Sequence, residues 1–119
     1  MKFAALVANS HAEYDKLSAA EILKLATEAS AKAYGLSNAG KIQEGCLADC
    51  ILLNRNDLRL NPNHDIISNW VYGANSNAID SVICNGTFVM RNRHIDGEED
   101  IVKEAERCAK ELIALSSPK

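Results

Sequence analysis

Hydrophobic and polar positions change their period along this chain, and the changes divide it into elements. From Ser18 to Tyr34 apolar residues recur at helical spacing, through Ile22, Leu25, Ala26, Ala29 and Ala33. Ser18 and Glu21 stand three apart, the spacing at which a helix N-cap and a returning carboxylate close a capping box. Gly35 supplies the left-handed residue that stops such a helix. The alanines leave little bulk, so this helix can lie close to a neighbour but cannot form a core alone. Residues 1–9 predict a short helix.

After Gly40 the helical period is lost. Gly40 and Gly45 mark turns, and 48–54 is a short apolar run that predicts a buried strand. Residues 54–78 have no period and are rich in asparagine, which favours turns and irregular backbone. Two β-prone runs, 79–84 and 87–90, flank Asn85-Gly86, the preferred pair for a type I′ hairpin. From Asp96 the helical period returns. Ile101, Ala105, Cys108, Leu112 and Leu115 make one apolar stripe, and Glu98, Glu99 and Asp100 sit where the helix dipole favours negative charge. The whole predicts an α+β chain ending in an amphipathic helix.

Composition limits the function classes. At 119 residues the chain is one domain or part of one. Its 13 basic and 16 acidic residues give a net charge of −3 with no basic block, which argues against a nucleic-acid partner. The start of the chain has neither the length of a signal h-region nor that of a membrane span, so the cytoplasm is the expected compartment and its thiols are expected to be reduced. Cys46, Cys50, Cys84 and Cys108 lie among apolar residues and are expected as small buried hydrophobes.

Candidate chemistry is sparse. His11, His64 and His94 are far apart in sequence and fit no metal-binding spacing, and Cys46-x-x-x-Cys50 has no second half. No metal site, cofactor site or catalytic residue is therefore expected in the chain. Asn61, Asn63, His64, Asp65, Ser68 and Asn69 form a polar cluster, but side chains of this kind more often cap their own loop. His64 beside Asp65 is a remote acid–base pair, because adjacent residues seldom face each other. Trp70 and Tyr72, two apart, would share one side of an extended backbone and offer a stacking surface. Gly40 and Gly45 lack the ending of a phosphate loop.

Several blocks, in fixed order, resemble the C-terminal part of the metal-dependent amidohydrolases. The branch is that of S-adenosylhomocysteine/methylthioadenosine deaminases and atrazine-type chlorohydrolases. Ala26-Thr27 and 31–36 resemble the "AT…GAKALGL" end of the last barrel helix. Gly40, Ile42, Gly45, Ala48 and Asp49 match Gly-x-Ile-x-x-Gly-x-x-Ala-Asp, which leads into the strands of a small β-sandwich. Residues 61–75 are similar to "NPNHDPISNLVYSAN", with Ile66 in place of proline and Trp70 in place of leucine. Residues 79–90 resemble "VDTVIVDGKVVM", and Met1–Leu6 resembles "MKLAALL".

The resemblance implies three segments. Residues 1–36 would be the end of a (β/α)8 barrel, 37–95 part of a composite β-sandwich with its hairpin, and 96–119 a C-terminal helix. It implies a parent reaction of metal-assisted hydrolysis at a carbon–nitrogen bond, using zinc or iron. The family's metal ligands and acid–base glutamate match no position here and would lie ahead of Met1. The chain is thus expected to be inactive alone, with the barrel portion, or a second copy through exposed strands, as partner. The alternatives are a non-catalytic interaction module or the small subunit of a split enzyme.

Overall fold

The computed structural model describes residues 1–10 and 16–116. His11 lies outside them. Helix α1 spans Lys2–Ser10. Helix α2, Ala19–Lys24, opens on the predicted capping box: the Glu21 backbone N–H donates to Ser18, and the Ser18 backbone N–H and hydroxyl donate to the Glu21 carboxylate. These donations hold the Glu21 carboxyl below its ordinary value, the Ser18 hydroxyl contributing most.

The helix continues through a π-helical turn, Leu25–Ala29, into α3, Ser30–Ala33. The hydroxyl of Thr27 donates to the Leu23 carbonyl and that of Ser30 to the Leu25 carbonyl, competition of the kind that loosens a helix turn. Beyond α3, Gly35 at φ +77° ends the helix, with Gly35 N–H on Lys32 O at 3.0 Å and Leu36 N–H on Ala31 O at 2.9 Å.

The strands β1 (Cys50–Leu53), β2 (Ile79–Cys84) and β3 (Thr87–Met90) form one antiparallel sheet in that order. The Asn85-Gly86 turn has φ of +49° and +79°, the pair a type I′ turn requires. Its backbone is held from the far side of the sheet. Asn85 N–H donates to Asp49 Oδ1 at 2.6 Å and Gly86 N–H to Ala48 O at 3.1 Å. The Ala-Asp end of the glycine motif therefore clips the hairpin tip to the entry of β1.

Between α4, Ile66–Ser68, and the helices lies the core, where Ala5, Ile22 and Val71 are buried with Leu17, Ala19, Ile67 and Tyr72 around them. Asn9 joins α1 to the start of α2: its side chain donates to Leu17 O at 3.1 Å and accepts from Leu17 N–H at 2.8 Å. Leu60 and Ala78 are buried in the loop between β1 and β2.

Three expectations are corrected. Strand β1 is not buried: Ile51 and Leu52, on opposite faces, are 44% and 45% exposed, because the sheet has no second layer among the described residues. The last helix, α5, spans Glu98–Ser116 rather than starting at Asp96, since Gly97 at φ +79° holds Asp96 in a preceding turn. The cysteines are not uniformly buried either. Cys46 and Cys50 are half-buried, Cys84 and Cys108 exposed, and all four are free thiols.

Candidate functional site

The candidate region is the loop joining β1 to β2, where the sequence places its polar cluster. Three of those six side chains, Asn61, Asp65 and Asn69, serve the backbone of the loop and of α4. Asp57 caps the 3-10 turn Leu58–Leu60 by accepting from Arg59 N–H at 2.8 Å. Asn61 donates to the carbonyls of Arg55 and Asp57 at 3.1 and 2.8 Å, and Asn69 to those of Leu60 and Pro62, both at 3.0 Å. Asn75 caps a second 3-10 turn, Ser76–Ala78, by accepting from Asn77 N–H at 3.0 Å. Carbonyls inside such a loop have no ladder partner, so asparagine amides take that place.

Asp65 is the N-cap of α4. Its Oδ1 accepts from the N–H groups of Ile67 at 3.0 Å and Ser68 at 3.2 Å, and its Oδ2 from the Ser68 hydroxyl at 2.6 Å. The Ser68 hydroxyl, then these amides, hold the carboxyl below its ordinary value. Both oxygens being so engaged, Asp65 forms no pair with His64. The acid–base reading of the two fails on that geometry. The side chains of Asn63 and His64, at the exposed turn before α4, take no partner among the described residues.

Trp70 and Tyr72 do not share a face. Residues Asn69–Gly73 form a π-helical turn rather than a strand, and two helical steps put side chains on nearly opposite sides. Tyr72 packs on the core of Ala5, Ile22 and Val71 instead. The stacking surface is thereby excluded.

Of the two turn glycines, one has a role beyond the turn itself. A Cβ on Gly40 would stand 2.7 Å from the Thr27 carbonyl oxygen, and its φ is +78°. The chain leaving the helix can pass the π turn only because residue 40 has no side chain. Gly45, at φ +81°, meets nothing within 4 Å and is set by backbone conformation alone.

The donor set does not fit a catalytic metal. No three His, Cys, Asp or Glu side chains gather to hold an ion among the described residues. Asp49 and Asp65 hold backbone amides, and His94 lies beside Asp96 at 3.7 Å on the surface. No helix among the described residues is long and apolar enough to cross a membrane.

Residues 1–89 match the amidohydrolase family model. The chain belongs to the amidohydrolase family. It is 40% identical over 97 residues to the 5′-deoxyadenosine deaminase of Methanospirillum hungatei, covering 82% of this chain and 21% of that enzyme. With the 5-methylthioadenosine/S-adenosylhomocysteine deaminase of Dictyoglomus turgidum it shares 40% identity over 114 residues, 91% of this chain and 27% of the relative. The chain thus spans about a quarter of the length of these relatives.

Among solved structures, an adenosine deaminase from Xanthomonas campestris with bound zinc superposes with a TM-score of 0.86 at 25% identity, over 95% of this chain and 27% of that one. A triazine hydrolase variant superposes at 0.76 and 24% identity, over 88% and 24%, and speaks for the fold alone.

Of the two departures from the resembled 61–75 passage, Ile66 has a physical reading. Ile66 is the first residue of α4, the N1 site where proline is well tolerated because its missing N–H is not needed. Isoleucine there keeps the same helix start, which Asp65 sets.

Proposed function

We propose that this chain acts as the C-terminal scaffold portion of an amidohydrolase of the deaminase type, and hydrolyses nothing unaided. Residues 1–36 would be the end of its barrel, 37–95 a segment of its composite β-sandwich, and 96–119 its C-terminal helix. The carrying observation is the match itself: 40% identity over 114 residues that account for 27% of a methylthioadenosine/S-adenosylhomocysteine deaminase. The roles of the matched residues support the same reading. Asn61, Asp65 and Asn69 fix a loop, Gly40 permits a close crossing, and Asp49 clips a hairpin, none of which is chemistry.

The substrate class would be a purine-like ring whose amino group is replaced through a metal-activated water, the metal being held by residues outside this chain. Asn63 and His64, whose side chains the loop does not use, are the positions we assign to contact with the rest of such an enzyme. The four free thiols suit a reducing cytoplasm.

A chimera tests this. Residues 1–119 would replace the matching quarter of the Dictyoglomus turgidum deaminase. The chimera is expected to bind metal and release ammonia from 5′-methylthioadenosine, while the 119-residue chain alone shows no turnover. Deamination by the chain alone, or a folded chimera that neither binds metal nor turns over, overturns the reading.

A further inference from the structure

Asparagine is a labile residue, most of all before glycine, whose backbone nitrogen reaches the asparagine side-chain carbonyl unhindered by a side chain of its own. Among the asparagines of this chain only Asn85 is followed by glycine. Its side chain, unlike those of Asn61, Asn69 and Asn75, holds no hydrogen bond among the described residues.

In the folded turn both backbone nitrogens of the pair are committed elsewhere. Gly86 N–H donates to Ala48 O at 3.1 Å, which fixes the attacking nitrogen and its proton. Asn85 N–H donates to Asp49 Oδ1 at 2.6 Å, a charge-assisted bond that fixes the residue to be attacked. Neither acceptor belongs to the hairpin. Both come from the entry to β1, and Asp49 stands 36 positions before Asn85. A contact distant in sequence therefore sets how often the pair is free to react. All four residues belong to this chain, so the contact does not depend on what flanks it.

From the single Asn-Gly pair, its unused side chain and the two bonds from β1, we propose that Asn85-Gly86 is a self-modification site and that Asp49 is its latch. When the latch opens, the Gly86 nitrogen gives its proton to solvent and bonds to Cγ of Asn85. The Cγ–Nδ2 bond breaks, ammonia leaves, and a five-membered imide closes. Water then opens the imide at either carbonyl, giving aspartate or isoaspartate. Water is the only co-reactant.

The products do not fit the latch. Isoaspartate puts an extra carbon into a two-residue turn, which the pairing of Cys84 with Thr87 cannot span without a shift in register. Either product adds a carboxylate on the residue that the Asp49 carboxylate holds, and the two repel. The modification thus releases the hairpin tip from β1, and refolding does not reverse it. Because the chemistry is slow beside local opening, its rate follows the population of the open turn.

The test is mass spectrometry of the tryptic peptide 60–91 after incubation of the purified chain at neutral pH, scored for both products at position 85. In the folded wild type Asn85 is expected to react at least about tenfold more slowly than in urea, by the same factor as the amide-exchange protection of Gly86. Asp49→Ala should speed the reaction about tenfold, since the closed turn loses a hydrogen bond to a charged acceptor. Asp65→Ala, which removes a cap elsewhere, should leave the rate near that of the wild type. Circular dichroism checks that each variant folds.

A folded wild type that reacts as fast as in urea overturns the proposal, as does a folded Asp49→Ala variant that reacts at the wild-type rate. Equal acceleration in Asp65→Ala would mean that global stability sets the rate, and overturns it too. Should Asp49→Ala not fold, the wild type decides alone: agreement between its slowing and the Gly86 protection supports the latch, and disagreement overturns it. The reaction needs no substrate and releases a single equivalent of ammonia, so its failure is distinct from failure of the chimera.

Discussion

The loop between β1 and β2 and the helix α5 invert the usual relation between regularity and burial. The loop has only three short helical pieces and one π turn, yet it buries Leu60, Val71 and Ala78 and ties its carbonyls to named asparagines. Helix α5 is the longest regular element, 19 residues, and buries none of them. Its Leu112 and Leu115 are 68% and 84% exposed. What holds α5 in shape is local: an acidic first turn, and Arg107 paired with both Glu104 and Glu111. That arrangement keeps the Glu104 carboxyl below its ordinary value and raises the guanidinium of Arg107. Regular backbone follows from neighbours in sequence; burial needs neighbours in space.

The largest expected effect breaks the contrast at its strongest point. Leu60→Ala should lower unfolding free energy by about 3 kcal/mol, because the side chain is fully buried and leaves a cavity. Leu112→Ala, the same deletion in α5, should change it by less than about 0.5 kcal/mol. Urea denaturation of the two variants measures both. Equal losses would mean that α5 packs on the body and that the comparison is false.

A smaller loss is expected at Gly40. Gly40→Ala sets a Cβ against the Thr27 carbonyl in a left-handed backbone, a cost of about 2 kcal/mol. Gly45→Ala keeps the left-handed strain but meets no atom, so it should cost less. Thermal melts of the pair isolate the close approach from the backbone conformation.

The smallest effect separates loop from helix by pH. The Asp65 carboxyl is lowered by donors that bind its charged form. Its contribution is therefore present above the ordinary carboxylate pKa of about 4 and fades as pH falls through the lowered value. Trp70 lies just past α4, so its fluorescence should report loosening of this loop in acid. Asp65→Asn should flatten that response, since an amide cannot titrate. Glu21 is lowered too and weakens the α2 cap in the same direction, but amide exchange at Ala19–Ile22 reads it separately.

Much of the backbone was legible because its signals are local. Ser18 with Glu21, Gly35, and Asn85-Gly86 each name a specific bond or a specific φ, and each is found where expected. The capping role of Asn and Asp in the loop was legible for the same reason. Three features were not. The π turn at Leu25–Ala29, where the Thr27 and Ser30 hydroxyls donate to helix carbonyls, is not something a helical period reveals. The Asn9–Leu17 clamp joins residues with no periodic relation. The need for glycine at 40 depends on a carbonyl thirteen positions away in sequence.

By itself the sequence determined the capping box at Ser18, the glycine stop at Gly35 and the hairpin turn at Asn85-Gly86, and, through blocks in fixed order, the family. Only the tertiary structure decided what those elements cover. It put β1 at one edge of the three strands found among the described residues, split Trp70 from Tyr72 and turned Asp65 from His64 toward its own helix. The reason is physical. A cap or a left-handed turn is satisfied by atoms a few residues away, whereas burial and pairing depend on surfaces that meet only when distant segments pack.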